Sequence, residues 1–111
     1  MKDSDTATAL HSGDVAVLAT PRLVSLCEEA TREAIVGQLQ PGHTTVGTRV
    51  ELSHLAPVAV GSTVRATATL ERSEGKRLLF NVAVNDDSGL VAAGKITRVM
   101  VDRDRFLEKA R

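Results

Sequence analysis

The chain has 111 residues, enough for one domain over residues 1–111 with a single hydrophobic core, and so small a core gains from a second subunit. Its 14 Lys and Arg balance 14 Asp and Glu, and Phe80 and Phe106 are its two aromatics, which excludes the basic, base-stacking footprint of a nucleic-acid binder. No apolar run approaches the roughly 20 residues of a membrane span, no secretory h-region opens the sequence and Cys27 stands alone, so the expectation is a cytoplasmic protein without an intrachain disulfide.

Residues 1–13 are small and polar and read as a loose N-terminus with at most one weak turn. Val15 to Leu18 is a short apolar lead into the next stretch. From Ala19 to Leu39 the pattern is helical. Thr20 suits a capping position and Pro21 the first helical position, where a missing N–H costs nothing. Leu23, Cys27, Ala30 and Ala34 make one apolar stripe, widened by Leu26, Ile35 and Leu39, and Gly37 and Pro41-Gly42 supply stop signals.

Beyond Pro41-Gly42 the period falls to two. Val46, Thr48, Val50, Leu52 and His54 share one parity and predict a half-buried strand of about ten residues. Val64, Ala66, Ala68 and Leu70 form a second strand, and Ser73-Glu74-Gly75-Lys76 is a hairpin signal. Leu78, Phe80, Val82 and Val84 line the inner face of a third strand. Asp86 to Gly89 is a turn, and Val91 to Val101 a fourth strand in which Gly94 marks a bulge or a close approach. Asp102 to Arg111 is charged and reads as a short tail helix. One helix followed by strands predicts an α+β fold, an antiparallel sheet wrapped around one long central helix.

Three residues are candidates for chemistry. Glu28 follows Cys27 on a helix that is apolar over much of its surface; it belongs either to the solvated arc of Glu29, Arg32 and Glu33 or to a site where a carboxylate acts as a base. His54 points to the helix side at a strand end, as a core histidine or as a functional one. Thr20 is a plain helix cap, or marks a helix N-terminus whose free N–H groups face a developing oxyanion. Gly47 interrupts a good strand and marks a bulge or a ligand's approach to backbone. Cys27 with His54 is a poor nucleophile pair, because a thiol on an apolar stripe is inert. His11 and His43 sit in loops with nothing to mark them as ligands. No metal-ligand spacing, glycine-rich phosphate loop or GxSxG elbow is present, so neither a metal nor a cofactor is expected.

At these residues the chain resembles a known family. SGDVAVLATPRLVSLCEEA, followed by TTVGTRVELSHLAPVAVGSTV, is similar to the hotdog-fold thioesterases related to fluoroacetyl-CoA thioesterase, from about Asp14 to Phe106. The resemblance implies a catalytic threonine, glutamate and histidine at Thr20, Glu28 and His54. It also implies a pocket-shaping glycine at Gly47, and the arginine of the GKITRVMVDRDRF ending at Arg98, for CoA phosphate or a structural pair. It further implies a homodimer or higher homo-oligomer with sites at the subunit interface and an acyl-CoA substrate. Two departures stand out. Only thirteen residues precede Asp14, too few and too polar for a good strand, so the expectation is either that the family's N-terminal edge strand is missing or that the start is truncated. The aromatic lid of the fluoroacetyl enzyme has no counterpart in SGDVAVLA, which argues against a fluoroacetyl preference. Glu28 and Thr20 also stand eight residues apart, about 12 Å along one straight helix. The expected function is acyl-CoA thioester hydrolysis. The alternative is a non-catalytic acyl-CoA binding module on the same fold, and a purely structural dimerisation domain is the third reading.

Overall fold

The computed structural model describes residues 1–110. Helix α1 spans Thr20–Ala34, and four strands follow: β1 (His43–His54), β2 (Arg65–Glu74), β3 (Arg77–Asp86) and β4 (Gly89–Asp102). A short helix α2 covers Arg103–Glu108, within the expected tail helix; Arg111 lies outside the described residues. All strand pairs are antiparallel, in the order β1-β4-β3-β2. The last three strands form the predicted meander. β1 crosses over to pair with β4 instead of with its sequence neighbour, which leaves β1 and β2 as the two edges.

The helix lies on one face of this sheet. Leu23 and Cys27 are fully buried there with Phe80, Val84, Ile96 and Val91, and Leu18, Ile35 and Val58 close the core around them. The buried stripe continues through Thr31 and Ile35, where Ala30 and Ala34 were expected. Thr31 was missed because it is polar; its hydroxyl donates to the Glu28 carbonyl at 2.6 Å, which satisfies it inside the core. The helix is also shorter than predicted. It ends at Ala34 instead of Leu39, with Ile35 as C-cap and Gly37 in the left-handed region at φ +79°. Thr20 is no cap: Ala19 holds that position with extended backbone and no side-chain bond, so Thr20 is the first helical residue and Pro21 the second.

The N-terminus is not loose. Its ammonium donates to the Ser62 carbonyl at 2.7 Å, and Gly61 N–H donates back to the Met1 carbonyl. Ala7 N–H bonds Val17 and Ala19 N–H bonds Asp5, while Asp5 pairs with Arg22 of α1 at 3.0 Å. Thr6 and Ala7 are buried. Backbone pairing and charge hold this segment, and neither leaves an apolar period in the sequence. It makes isolated bridges, Thr6 with Leu18 and Val17 with Ala59, and no strand.

Two glycines set how closely the sheet packs. Gly94 of β4 faces Leu52 of β1, and a Cβ there would sit 1.9 Å from the Glu51 carbonyl oxygen and 2.8 Å from Leu52 Cα. Backbone is what it would meet, so no rotamer change relieves the clash. Gly94→Ala is therefore expected to cost about 1–3 kcal/mol or more, because β1 must lift off β4. Urea unfolding checks this; an unchanged midpoint with an unchanged slope would contradict it.

Candidate active site

β1 carries a bulge between Gly47 and Arg49, and this irregularity decides which residues meet α1. Before the bulge, odd-numbered residues face the helix: Thr45 is buried and Gly47 lies against Glu28. After it, even-numbered residues do: Leu52 packs on the core and His54 reaches the start of α1. An unbroken alternation would place Gly47 and His54 on opposite faces. The single parity read from the sequence over 46–54 is corrected here, since the extra residue shifts Val46 out of step with Leu52 and His54.

Near the N-terminus of α1, the Thr20 hydroxyl and His54 Nδ1 are 2.8 Å apart. The hydroxyl donates when Nδ1 is unprotonated and accepts when the ring N–H is there. The other ring nitrogen, Nε2, is shielded and has no partner among the described residues. Buried ring nitrogens are ordinarily hydrogen-bonded, so Nε2 is a position that a water or a substrate atom can occupy. A groove of about 340 Å³ opens beside the pair, walled by Val15, Val17, Leu18 and Leu55 and by no charged side chain.

The second cluster lies further along the helix. Arg98 of β4 is buried, and each nitrogen of its guanidinium donates one hydrogen bond. Nε donates to Thr45 Oγ1 and Nη2 to the Thr45 carbonyl, both at 2.9 Å, and Nη1 donates to Glu28 Oε2 at 3.3 Å. Burial pulls the Arg98 pKa below its ordinary value, and the Glu28 carboxylate opposes that. A guanidinium stays charged through such a shift, so its partners here are needed to offset desolvation. Glu28 is 37% exposed at this pair, at the border between core and solvent. Gly47 makes room for it: a Cβ at that position would lie 2.7 Å from Glu28 Oε2. The close approach anticipated at Gly47 is thus made by this chain's own carboxylate.

The structure brings Thr20 to His54, and Glu28 to Arg98 and Gly47, but no contact joins the two groups. Thr45 was missed by sequence reading; its signal was the glycine two residues on, since a bulge at Gly47 resets the parity that otherwise places Thr45 outward. Cys27 is fully buried, and burial pushes its thiol up to about 11, which removes it as a nucleophile. Among the described residues no cluster of His, Cys, Asp and Glu could hold a metal ion, and no helix is long and apolar enough to cross a membrane.

Comparison with known proteins bears on this arrangement. The model of a family described as fluoroacetyl-CoA-specific thioesterase matches residues 1–104. Fluoroacetyl-CoA thioesterase of Streptantibioticus cattleyicolor is 34% identical over 95 residues, covering 86% of this chain and 68% of that protein. A mutant of the fluoroacetyl-CoA-specific thioesterase FlK, crystallised with fluoroacetate and CoA, superposes with a TM-score of 0.90 at 28% identity, over 96% of this chain and 90% of that one. A hot-dog-like protein from Thermanaerovibrio acidaminovorans superposes with a TM-score of 0.89 at 29% identity, over 98% of this chain and 81% of its own. The antiparallel sheet on one helix is the hotdog fold of these structures, here with a 15-residue central helix.

Proposed function

Because the chain belongs to the fluoroacetyl-CoA-specific thioesterase family, a family of thioester hydrolases, we propose that it hydrolyses an acyl-CoA thioester with Thr20, Glu28 and His54 acting as one site. The observation that carries this reading is the pairing of Thr20 with a histidine whose second ring nitrogen is buried and unpaired, together with a carboxylate fixed by a buried arginine.

The chemistry divides among them by what each side chain offers. Glu28 acts on the thioester carbonyl, as nucleophile or as base toward water. Thr20 and the N–H groups at the start of α1 stabilise the oxyanion. When the C–S bond breaks, the departing thiolate takes its proton through His54. Arg98 is a positioning residue, since its contacts are to Glu28 and Thr45 and hold the carboxylate over Gly47.

A second copy resolves the gap between the two groups. Thr20 and Glu28 are about 12 Å apart along α1. β1 is an edge strand, with half its backbone groups free to pair. Antiparallel pairing of β1 with its symmetry mate, centred on Glu51 and carried through the bulge, sets Gly47 opposite His54 of the second copy. Gly47 and His54 face the helix side on one strand, and directly opposed residues share a face. One isologous contact then forms two composite sites, each with Glu28 from one subunit and the Thr20–His54 pair from the other. A non-catalytic acyl-CoA binding module is the alternative, and thiol release separates the two.

Glu28→Gln is expected to lower thiol release from acyl-CoA by about 10² to 10⁴. The variant keeps the size of the side chain and one acceptor oxygen for Arg98 while losing the charge, so it should be less stable than the parent but give the same circular dichroism when folded. A folded Glu28→Gln protein with near-parental turnover contradicts the role of Glu28. Saturable acyl-CoA binding without thiol release by the parent establishes the binding module instead.

The acyl wall also sets selectivity. Discriminating fluorine from hydrogen takes a closely fitted pocket. Val15, Val17, Leu18 and Leu55 leave the groove without an aromatic; Phe80 is fully buried in the core, and Phe106 lies in α2, outside the groove. Comparable kcat/KM values are therefore expected for acetyl-CoA and fluoroacetyl-CoA. A preference of about a thousandfold or more for the fluorinated ester would contradict this account of the groove.

A further inference from the structure

The groove beside Thr20 and His54, about 340 Å³ in volume, has two walls. Ala7, Val15, Val17 and Leu18 form the wall ahead of α1, and Leu55 and Ala56 form the wall beyond the end of β1. Backbone hydrogen bonds fix both. Ala7 N–H donates to the Val17 carbonyl, Ser12 N–H to the Ala7 carbonyl and Leu18 N–H to the Val58 carbonyl, while Leu55 and Ala56 N–H both donate to the Val91 carbonyl. The donors and acceptors of the walls are thus largely spent within the chain. Apart from Thr20 and His54, Ser12 brings the only polar side chain among the described residues of the lining, and none there is charged. Val15 and Leu55 are 58% and 59% exposed, so both walls leave apolar surface to solvent at the mouth of the groove.

We propose, resting on the thioesterase reading, that this groove takes the acyl chain of the substrate, and that the chain is an uncharged hydrocarbon of about six to ten carbons. The pantetheine arm of CoA carries amide groups, which lose their hydrogen bonds to water unless a site replaces them. A hydrocarbon chain needs no such partners, so walls with their polar groups already paired suit the acyl side of the thioester and not the arm. A chain ending in a second carboxylate would bring its charge into the groove with no cation in the lining to pair it. At roughly 30 Å³ for each heavy atom, the share a water molecule takes in the liquid, the groove has room for about ten carbons. Each methylene that enters adds about two- to fourfold to binding, the upper figure for full burial. An acetyl group leaves most of that apolar surface wet.

The test measures kcat/KM for straight-chain CoA esters from acetyl to decanoyl. Values are expected to rise with length, so that octanoyl-CoA exceeds acetyl-CoA by about fiftyfold or more. Succinyl-CoA is expected to fall about tenfold or more below butanoyl-CoA, which has the same chain length without the charge. Val15→Asp places a carboxylate in the exposed part of one wall, and the octanoyl-to-acetyl ratio is expected to drop about tenfold or more in that variant. Thiol release that is indifferent to chain length, succinyl-CoA turned over as well as butanoyl-CoA, or a ratio unchanged in Val15→Asp overturns the proposal and leaves the thioesterase reading standing. If the parent releases no thiol, calorimetric binding of the same esters decides. Affinity that rises with chain length in the parent and less steeply in Val15→Asp supports the groove and defeats the thioesterase reading alone. Affinity independent of chain length, or no binding, overturns the groove.

Discussion

The contact between Glu28 and Arg98 over Gly47 is the constraint on which the site depends. A guanidinium buried on the helix side of the sheet needs acceptors for its donors, and the fold supplies them from two elements. Thr45 of β1 satisfies two nitrogens with its hydroxyl and its carbonyl, and α1 brings Glu28 to the third. Removing either partner leaves charge short of compensation. Removing the glycine instead pushes a methyl group into the carboxylate. Helix, edge strand and β4 are thus locked at one point, and that point holds the side chain proposed to act on the thioester.

The bulge in β1 serves the same arrangement. Without it, the strand would send Gly47 and His54 to opposite faces. With it, one strand presents an empty position to Glu28 and, further along, a histidine to Thr20. The strand that does this is an edge, and edges are usually blunted against association. β1 carries Arg49 and Glu51 near its middle, both exposed and paired with each other, and Val50 between them is also exposed. On the proposed reading, the unpaired edge is the surface on which the second half of the site docks.

Much of the fold was legible because its signals are periodic. The strand alternations of 64–70, 78–84 and 91–101 and the turn glycines gave the meander, and the helix start at Thr20-Pro21 was right to within a residue. The helix end was not, since Ile35 and Leu39 extend the apolar pattern past the point where the backbone stops being helical. The N-terminal segment was misread because backbone hydrogen bonds and the Asp5–Arg22 pair hold it, interactions that leave no apolar pattern behind. At the site, residue types alone left Glu28, His54 and Thr20 open between structural and functional roles, and only their resemblance to a family set them together. Gly47 did flag a bulge, but which residue of the strand is the extra one, and hence the inward face of Thr45, is settled only by the pairing with β4.

On the proposed reading, one subunit's Glu28 works with the other's Thr20 and His54. The most direct measurement mixes two variants, Glu28→Gln and His54→Ala, each lacking one half of the set, and allows their subunits to exchange. Each mixed dimer would then hold one site with all three residues intact and one site with both changes. The mixture is expected to recover about a quarter of the parent's thiol release, from half the dimers with one working site each, while each variant alone stays near background. A mixture as inactive as its components, with exchange confirmed by mass, would contradict the composite site and return all three residues to a single chain.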